Sequence, residues 1–309
     1  MKVLVTGGAG FIGSHVVDRL LREGYRVVAV DDLSTGRREQ VDRRATFYHL
    51  DVAGEELGAV MERERPDYVI HQAAQARAGQ ALADPVQDGR VNILGTVNLL
   101  QACARLGVRK VVYASSAAVY GEPRYLPLDE GHDRCPSSFY GISKLAGEMY
   151  VRAFWELHGL PYTILRYSNV YGPRQDALGE GGVVAIFIHR LLRGERPVVH
   201  GDGEQTRDFV YVEDVAEANL LALSRGDGQV VNISTGKACS VNRLLAMLNE
   251  VVKEETVEGP DPVHGPPRPG DIVHSCLDNR LAVKVLGWRP LHGLGDGLRK
   301  TVEFYLGGG

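Results

Sequence analysis

The chain has 309 residues, of which 44% are hydrophobic and 24% charged, so it can bury a core and its composition excludes a disordered protein. Its formal net charge of -4 argues against nucleic acid or an anionic membrane as the main partner. No apolar stretch is long enough to cross a bilayer, and the four cysteines are widely separated with no CxxC pair, so we expect no metal site and a reducing, cytoplasmic location.

The first 170 residues alternate short apolar runs with helical periodicity. Residues 2–6 form a run too short for a signal peptide, which predicts a buried first strand. The predicted elements that follow are strands over 26–30, 46–50, 68–71, 110–114 and 162–167, and helices over 11–21, 55–64, 86–106 and 138–158. Nearly all-apolar strands separated by helices are typical of a parallel sheet covered on both faces. We therefore predict a doubly wound α/β domain with a Rossmann-type sheet over residues 1–170.

The regular alternation of apolar strands and periodic helices ends after Gly172 and Pro173. Short helical segments are predicted over 183–192, 212–224, 241–253, 277–286 and 294–305, separated by loops rich in glycine and proline. Residues 259–270 contain five prolines and are too stiff for a helix. We predict a second, smaller α/β lobe over residues 171–309 that binds substrate in a cleft against the first, and leave open that some segments return to the first domain.

A glycine-rich turn joins the first strand to the first helix. Gly7, Gly10 and Gly13 have GxxGxxG spacing, which lets the backbone approach a pyrophosphate at the positive end of a helix. Such a trio alone is weak, because it also occurs in ligand-free turns. Asp31 strengthens the prediction because it follows the second strand, 18 residues after Gly13, where a carboxylate can bind the adenosine ribose.

The cofactor predicted from these residues is NAD, because the carboxylate of Asp31 would repel the additional phosphate of NADP. Arg37 and Arg38 could counter this preference, but they lie beyond the turn and are typical of a solvated face. Asp51 ends the third predicted strand, where it either contacts the adenine or only terminates the strand, and both readings stay open.

Tyr140 and Lys144 are four residues apart in a predicted helix, and therefore lie on one face. An ammonium near a phenol favours the phenolate, so we expect Lys144 to pull the pKa of Tyr140 toward neutrality and make it a usable base. Ser115 and Ser116 follow a predicted strand at the carboxyl edge of the sheet, where ligands bind in such folds. A tyrosine and a lysine at this spacing often occur together by chance, but the combination of Tyr140 and Lys144 with the serine and the glycine turn indicates an enzyme.

With these residues the chain resembles the extended short-chain dehydrogenases/reductases, and most closely the UDP-galactose 4-epimerases. The segments that carry the resemblance are 6–15 (TGGAGFIGSH), 31–33 (DDL), 71–75 (HQAAQ), 115–121 (SSAAVYG), 140–144 (YGISK), 165–174 (LRYSNVYGPR), 207–212 (RDFVYV) and 268–271 (RPGD). The first five are typical of the superfamily, and the last three point to nucleotide-sugar substrates. The similarity extends along essentially the whole chain.

The resemblance implies transient oxidation of a UDP-hexose at C4, which interconverts UDP-galactose and UDP-glucose. Tyr140 would take the proton of the 4-hydroxyl while NAD takes the hydride. The 4-keto sugar would then rotate and receive the hydride on its other face. Ser116 would bind the 4-oxygen, and Lys144 would hold the nicotinamide ribose and lower the pKa of Tyr140. NAD should stay bound, since each cycle regenerates it.

The resemblance also implies binding residues and a homodimer built from the two long predicted helices. The cofactor residues are Gly7, Gly10, Phe11, Ile12, Gly13, Asp31, Asp32, Asp51, Val52, Ala73, Ala74, Asn92, Ser115, Tyr140, Lys144 and Tyr167. The substrate residues are Ser116, Tyr140, Asn169, Gly182, Val183, His200, Arg207, Arg268, Asp271 and Ser275. Two arginines, Arg207 and Arg268, suit a diphosphate. His200 is placed either against the uracil or on the surface.

At several positions the chain differs from related enzymes, and these differences narrow the range of reactions and substrates that we expect. Related dehydratases and decarboxylases carry an acidic residue after the catalytic serine or threonine, whereas this chain has Ala117 and Ala118, which favours plain epimerisation. Asp176 stands where glucuronate epimerases have an arginine, which favours a neutral hexose. Ser275 replaces a bulky tyrosine, which suggests that UDP-N-acetylhexosamines are also accepted. Glycines at 181 and 182 replace asparagines of some relatives.

Three alternatives stay open at this point. One is another nucleotide-sugar epimerase, such as a UDP-glucuronate 4-epimerase. A second is a nucleotide-sugar reductase, which would consume its cofactor. The third is a regulator that binds NAD without catalysis, and the combination of Ser116, Tyr140 and Lys144 argues against it, because a sensor has no need of a tuned phenol.

Overall fold

The computed structural model describes residues 1–176, 182–255, 259–267 and 272–307. The strands are β1 (Lys2–Thr6), β2 (Arg26–Asp31), β3 (Thr46–His49), β4 (Tyr68–His71), β5 (Lys110–Ser116), β6 (Tyr162–Tyr167), β7 (Asn169–Tyr171), β8 (Val198–His200), β9 (Thr206–Tyr211), β10 (Gln229–Ile233), β11 (Ala238–Ser240) and β12 (Val263–Gly265). The helices are α1 (Phe11–Arg22), α2 (Glu56–Glu64), α3 (Ala78–Ala83), α4 (Pro85–Gly89), α5 (Gly95–Leu106), α6 (Phe139–His158), α7 (Val183–Leu192), α8 (Val212–Ala222), α9 (Val241–Glu255), α10 (Arg280–Leu286) and α11 (Leu294–Leu306).

Seven parallel strands form the central sheet, in the order β10-β6-β5-β4-β1-β2-β3. Their apolar side chains are buried on both faces, in one cluster beneath α1 and α8 and a second beneath α2, α5 and α6. The predicted doubly wound fold is therefore confirmed. After β3 the chain returns to β4 on the other side of β1, and the carboxyl ends of β1 and β4 mark the point where ligands bind in such sheets.

The second half of the chain contributes to both parts of the molecule. Strand β10 pairs with β6 at the end of the central sheet, and α8 packs against α1. A separate core lies among α7, α9 and α11 and the three-stranded sheet β11-β9-β7. We call the part built on this core the second lobe. Residues 212–233 and the later segment 280–288, which includes α10, thus belong to the central sheet and its cover, while α7, α9 and α11 and the short strands around them build the second lobe.

Two contacts join α1 to the segment that leads into the second lobe. The His15 ring lies 3.0 Å from the carbonyl oxygen of Pro173, which only accepts, so the ring nitrogen Nε2 must donate. Arg174 forms an ion pair of 2.7 Å with Asp18 one turn further along α1. The glycine turn that precedes α1 is therefore tied to the beginning of the second lobe.

The predicted helix over residues 86–106 is not regular. Helix α4 and helix α5 are separated by a π-helical segment, Arg90–Leu94, whose hydrogen bonds span one residue more than those of an α-helix. The predicted helix over 277–286 begins later, at Arg280. The described residues contain no helix that is both long and apolar enough to span a membrane.

Candidate active site

The glycine turn lies directly after β1, at the carboxyl edge of the sheet. Gly7 has a φ of +66°, and a Cβ there would lie 2.6 Å from the backbone nitrogen of Ala73. A Cβ on Gly13 would lie 1.9 Å from the carbonyl oxygen of Gly7, so α1 and the turn pack backbone to backbone. A Cβ on Gly10 would meet only the carbonyl oxygen of Gly7, at 3.3 Å, which leaves the surface above the turn open. The turn can therefore admit a pyrophosphate.

The first turn of α1 is available to an anion. Gly10 caps this helix without a side-chain hydrogen bond, and Phe11, Ile12 and Gly13 form its first turn. The unpaired backbone N–H groups of such a turn carry partial positive charge. These residues fit the diphosphate of a dinucleotide on local geometry alone.

Asp31 ends β2 and faces the same turn. Its carboxylate accepts hydrogen bonds from the backbone N–H groups of Ala9 (2.9 Å) and Leu33 (2.8 Å), and burial raises the pKa of Asp31. These hydrogen bonds therefore stabilise the conformation of the glycine turn. Asp32, in contrast, is exposed and binds the backbone and hydroxyl of Ser34.

The other predicted cofactor residues surround this edge. The Asp51 carboxylate forms an ion pair of 2.7 Å with Arg90, and Val52 is buried. Ala73 and Ala74 follow β4 and are partly exposed, with the Ala73 backbone N–H bonded to Thr6. Asn92 differs because it is only 1% exposed and its amide is engaged by protein groups, namely Gln75, Asp88 and Ser143.

The ends of β5 and α6 bring the predicted reactive residues together. Ser116 is the last residue of β5, and its side chain lies close enough to Tyr140, near the beginning of α6, to act on the phenol. Lys144, one turn further along α6, is only 4% exposed and its ammonium donates to the carbonyl oxygen of Ala114 (2.8 Å). The same ammonium lies 5.3 Å from the centre of the Tyr113 ring.

The predicted acidification of Tyr140 is wrong for this structure. Burial raises the pKa of Tyr140 to about 12, opposed by the neighbouring hydroxyl of Ser116. Burial also lowers the pKa of Lys144 to about 8. Burial is the largest cause of both pKa shifts, and the charge of Lys144 is not among the causes that act on Tyr140.

Ser115 points away from Ser116, as neighbours in a strand must. Its hydroxyl donates to Glu148 (2.6 Å), which forms a buried, bidentate ion pair with Arg166. The Tyr120 hydroxyl accepts from Arg166 (3.0 Å). This network supports β5 and β6 from one face of the sheet. Tyr167, predicted at the cofactor, is buried and its hydroxyl bonds to Gln72 and Asn219.

Predicted substrate residues of the second lobe lie on short strands. Asn169 begins β7 and is exposed, while Arg207 lies on β9 and donates to the carbonyl oxygen of Thr206 (2.9 Å). Ser275 lies beside β9, where its backbone N–H donates to the carbonyl oxygen of Thr206 (3.1 Å), and it is 8% exposed. The structure therefore brings Arg207 and Ser275 onto adjacent segments.

His200 ends β8, and its ring bonds to the carbonyl oxygen of Pro266 (3.1 Å). Gly182 caps α7 and Val183 begins it, and a Cβ on Gly182 would lie 2.3 Å from the Gln175 side chain. Arg268, Asp271 and the glycine at 181 lie outside the described residues, so the structure does not place them.

Asp176, which was expected to repel a sugar carboxylate, is paired. Its carboxylate lies 2.5 Å from the guanidinium of Arg77, which follows β4 in the first domain. Arg77 neutralises part of the charge on which the exclusion of glucuronate depends. That exclusion is correspondingly weaker than the sequence suggests.

Two buried charged groups near the reactive residues were not among the predicted site residues. Arg166 could have been noticed, because an arginine in an otherwise apolar strand needs a buried partner. Asp88 gave no such signal, since it lies among polar residues at the beginning of the helix predicted over 86–106. It is nevertheless only 2% exposed.

A parallel sheet with a glycine turn, an acidic residue after β2 and a Ser-Tyr-Lys set at one edge defines the class of dinucleotide-dependent short-chain enzymes. The chain matches the NAD dependent epimerase/dehydratase family over residues 3–234. It therefore belongs to that family.

Solved structures resemble the whole chain. A UDP-glucose 4-epimerase from Thermotoga maritima, crystallised with UDP-glucose, has 47% identity and a TM-score of 0.96, covering 100% of this chain and 99% of its own. A UDP-glucose 4-epimerase from Thermus thermophilus in complex with NAD has 42% identity and a TM-score of 0.94, covering 99% of both chains. A UDP-N-acetylglucosamine 4-epimerase from Methanobrevibacter ruminantium, in complex with UDP-N-acetylmuramic acid, has 37% identity and a TM-score of 0.94, covering 100% of this chain and 99% of its own.

Proposed function

We propose that the protein interconverts UDP-galactose and UDP-glucose by transient oxidation at C4 of the sugar, with NAD as its cofactor. The observation that carries the proposal is the placement of Ser116 beside Tyr140, one helical turn from the buried ammonium of Lys144. It lies at the same edge of the sheet as the open glycine turn. The epimerase relatives with UDP-glucose and with NAD support it.

The residues present fit NAD. The N–H groups at the beginning of α1 and the open surface over Gly10 suit the diphosphate, and Asp31 suits the adenosine ribose. Ala73, Ala74 and Lys144 are proposed to line the nicotinamide half. Bound NAD supplies a hydride acceptor and the positive charge of its oxidised ring.

Tyr140 is the proposed base. As phenolate it accepts the proton of the 4-hydroxyl when the hydride leaves C4, and it returns that proton when the 4-keto sugar is reduced on its other face. Ser116 has one hydroxyl hydrogen, which it donates to the sugar 4-oxygen when substrate is bound; without substrate the same hydroxyl lowers the pKa of Tyr140. The ammonium of Lys144 stabilises the negative charge that forms on this side.

The division of labour follows the two parts of the molecule. We propose that residues 1–170 hold the cofactor and that the second lobe, within residues 171–309, holds the UDP part of the substrate. Arg207 and Asn169 are assigned to the diphosphate, His200 to the uracil, and Gly182 and Val183 to the sugar side. Guanidinium groups bind phosphate oxygens in two places at once, which fixes orientation as well as charge.

The sugar range is proposed to include N-acetylhexosamines. Ser275 is small and lies beside Thr206, so it leaves more room than a tyrosine would. The related UDP-N-acetylglucosamine 4-epimerase supports this extension. Glucuronate is less favoured, although the ion pair between Asp176 and Arg77 reduces the repulsion on which this preference rests.

The decisive experiment mixes the as-purified protein with UDP-galactose without added cofactor, and then with a panel of UDP-sugars. We expect UDP-glucose to form until both sugars are present, with no net change in NADH absorbance. A stoichiometric absorbance change would indicate a reductase. Bound NAD with no conversion of any sugar would indicate a regulator, and would refute the proposal.

We also propose a homodimer in the cytoplasm. The outer face of α6 exposes Phe139, Ile142, Met149 and Leu157 to between 45% and 77%. Leu82, Val86 and Leu94 on the preceding helical segments are exposed to 61% or more. Apolar patches of this kind mark interaction surfaces. A monomeric mass by light scattering at micromolar concentration would refute the dimer. The four free cysteines support a reducing location.

A further inference from the structure

Two charged groups are buried near Tyr140 without a direct ion pair. The Lys144 side chain donates to the carbonyl oxygen of Ala114, and Asp88 on α4 accepts only from neutral amides. Within the described part of the chain neither forms an ion pair, although they are 4% and 2% exposed. A buried charge is costly unless an opposite charge lies nearby. Each therefore needs the other.

The other buried charges in this region cancel without them. Glu148, one turn beyond Lys144 on α6, forms the bidentate pair with Arg166 at 2.7 to 2.8 Å. That pair has no net charge. Lys144 and Asp88 are left without such a pair, so the charge balance around Tyr140 depends on these two groups.

The carboxylate of Asp88 is held in a fixed orientation. Its oxygen Oδ1 accepts from the side-chain amides of Asn92 (3.0 Å) and Gln75 (3.2 Å). Asn92 in turn donates to Ser143, the residue that precedes Lys144 on α6. Helix α4 and the π-helical segment that follows it both pack on α6. The chain thus fixes Asp88 relative to the helix that carries the reactive residues.

We propose that Asp88 is a positioning residue for the epimerisation: its buried carboxylate is the counter-charge that keeps the Lys144 ammonium protonated. This inference deepens the proposed function and rests on it for its kinetic test. Among the residues that the structure describes, no contact links Asp88 to Tyr140, and its proposed role is exerted on Lys144; its negative charge also contributes to the raised pKa of Tyr140.

The electrostatics of the site agree with this role. Burial lowers the pKa of Lys144 to about 8, while the charges of Asp88 and Glu148 oppose that shift. The further titratable groups that face Lys144 or its neighbour Tyr140 are His71, Tyr113, Glu148 and Tyr167, with Arg166 paired to Glu148. His71 is fully buried and its pKa is lowered to about 3, in part by Lys144, so it stays neutral and gives no compensating charge.

Asp88→Asn is a suitable variant because both amides bond to the same oxygen. An asparagine can keep both hydrogen bonds through its carbonyl oxygen while it loses the charge. We expect the alkaline limb of kcat for UDP-galactose to move to lower pH by about one unit. The matched control is Asp84→Asn, an exposed N-cap on the same helix that an asparagine can replace. An alkaline limb that stays in place or moves to higher pH overturns the inference.

A stability comparison tests the same pairing without catalysis. Lys144→Met leaves Asp88 as an uncompensated buried charge, so adding Asp88→Asn should raise the urea midpoint above that of Lys144→Met alone. A double variant that is no more stable than Lys144→Met overturns the inference, even where Asp88→Asn alone does not fold.

The two arms separate this inference from the proposed function. A wild-type protein that converts no UDP-sugar refutes the epimerase, and the stability comparison still decides the pairing. A wild-type protein that is active, with Asp88→Asn showing an unchanged pH profile, refutes only the role of Asp88.

Discussion

Tyr140 and Lys144 lie on a helix of 20 residues that packs against the seven-stranded sheet, whereas Asn169 and Arg207 lie on strands of three and six residues in the second lobe. Lys144 is buried and donates to the carbonyl oxygen of Ala114, and Tyr140 lies partly buried beside Ser116. The second pair is partly or fully exposed, and the bonds described for Arg207 are to backbone carbonyls. The difference places chemistry on long, packed elements and recognition on short ones. Changes in the first region should therefore alter kcat, and changes in the second KM.

The largest effect is expected for Tyr140→Phe, which removes the base. We predict that kcat falls by about 1,000-fold while KM and NAD content stay unchanged. The measurement is the rate of UDP-glucose formation from UDP-galactose. Tyr150→Phe, at an exposed position of the same helix, is the control and should remain fully active. Unaltered turnover in Tyr140→Phe would contradict the assigned role.

The counterpart in the second lobe is Arg207→Gln. Loss of charge-assisted hydrogen bonds to a diphosphate should weaken binding by about 3 kcal/mol, which raises KM about 100-fold with kcat nearly constant. Arg193→Gln, an exposed arginine of the same lobe paired with Glu195, should change neither constant. If Arg207→Gln instead lowered kcat alone, the separation of chemistry from recognition would fail.

The hydrogen bond between His15 on α1 and Pro173, at the beginning of the second lobe, is tested through the pH dependence of stability. Burial, aided by Arg174, lowers the pKa of His15 from 6.5 to about 4. The unfolded chain therefore binds a proton below pH 6.5 that the folded protein does not, so stability falls as pH falls through this range. At pH 5 this loss amounts to about 2 kcal/mol, or about 30-fold in the unfolding equilibrium.

Urea unfolding at pH 7 and pH 5 measures this loss, and His15→Gln should reduce it by that amount. His49→Gln removes an exposed histidine that also bonds to a backbone carbonyl, and should leave the pH dependence unaltered. Equal acid sensitivity in His15→Gln and wild type would contradict the prediction.

The smallest effect is expected for Ser275→Tyr, which narrows the proposed sugar pocket. Turnover of UDP-N-acetylglucosamine should fall about tenfold more than turnover of UDP-galactose. Ser275→Ala, which keeps the position small, should preserve the ratio. A ratio of kcat/KM values that is the same in all three proteins would show that Ser275 does not select the sugar.

The sequence was sufficient for six of the seven central strands, because these strands are apolar and alternate with periodic helices. It missed the seventh, β10, and the strands of the second lobe, where loops rich in glycine and proline interrupt the pattern. It also could not anticipate the π-helical segment inside the helix predicted over 86–106.

The candidate site divides in the same way. The spacing of Tyr140 and Lys144 correctly predicted a shared helix face, but not the pKa of the phenol, because burial depends on the surrounding fold. The charge on Asp176 was visible, whereas its ion pair with Arg77 is a contact between residues 99 positions apart. Contacts of that range are set by tertiary packing.

The return of the chain to the central sheet has a consequence for engineering. A fragment that stops at residue 170 would lack β10, and so would leave the backbone of β6 unpaired along one side. An unpaired edge strand can pair with strands of other chains, so the fragment should aggregate rather than fold alone. Replacing the second lobe by one from another protein would accordingly require junctions on both sides of residues 212–233 and of residues 280–288, since a single junction would remove parts of the central core.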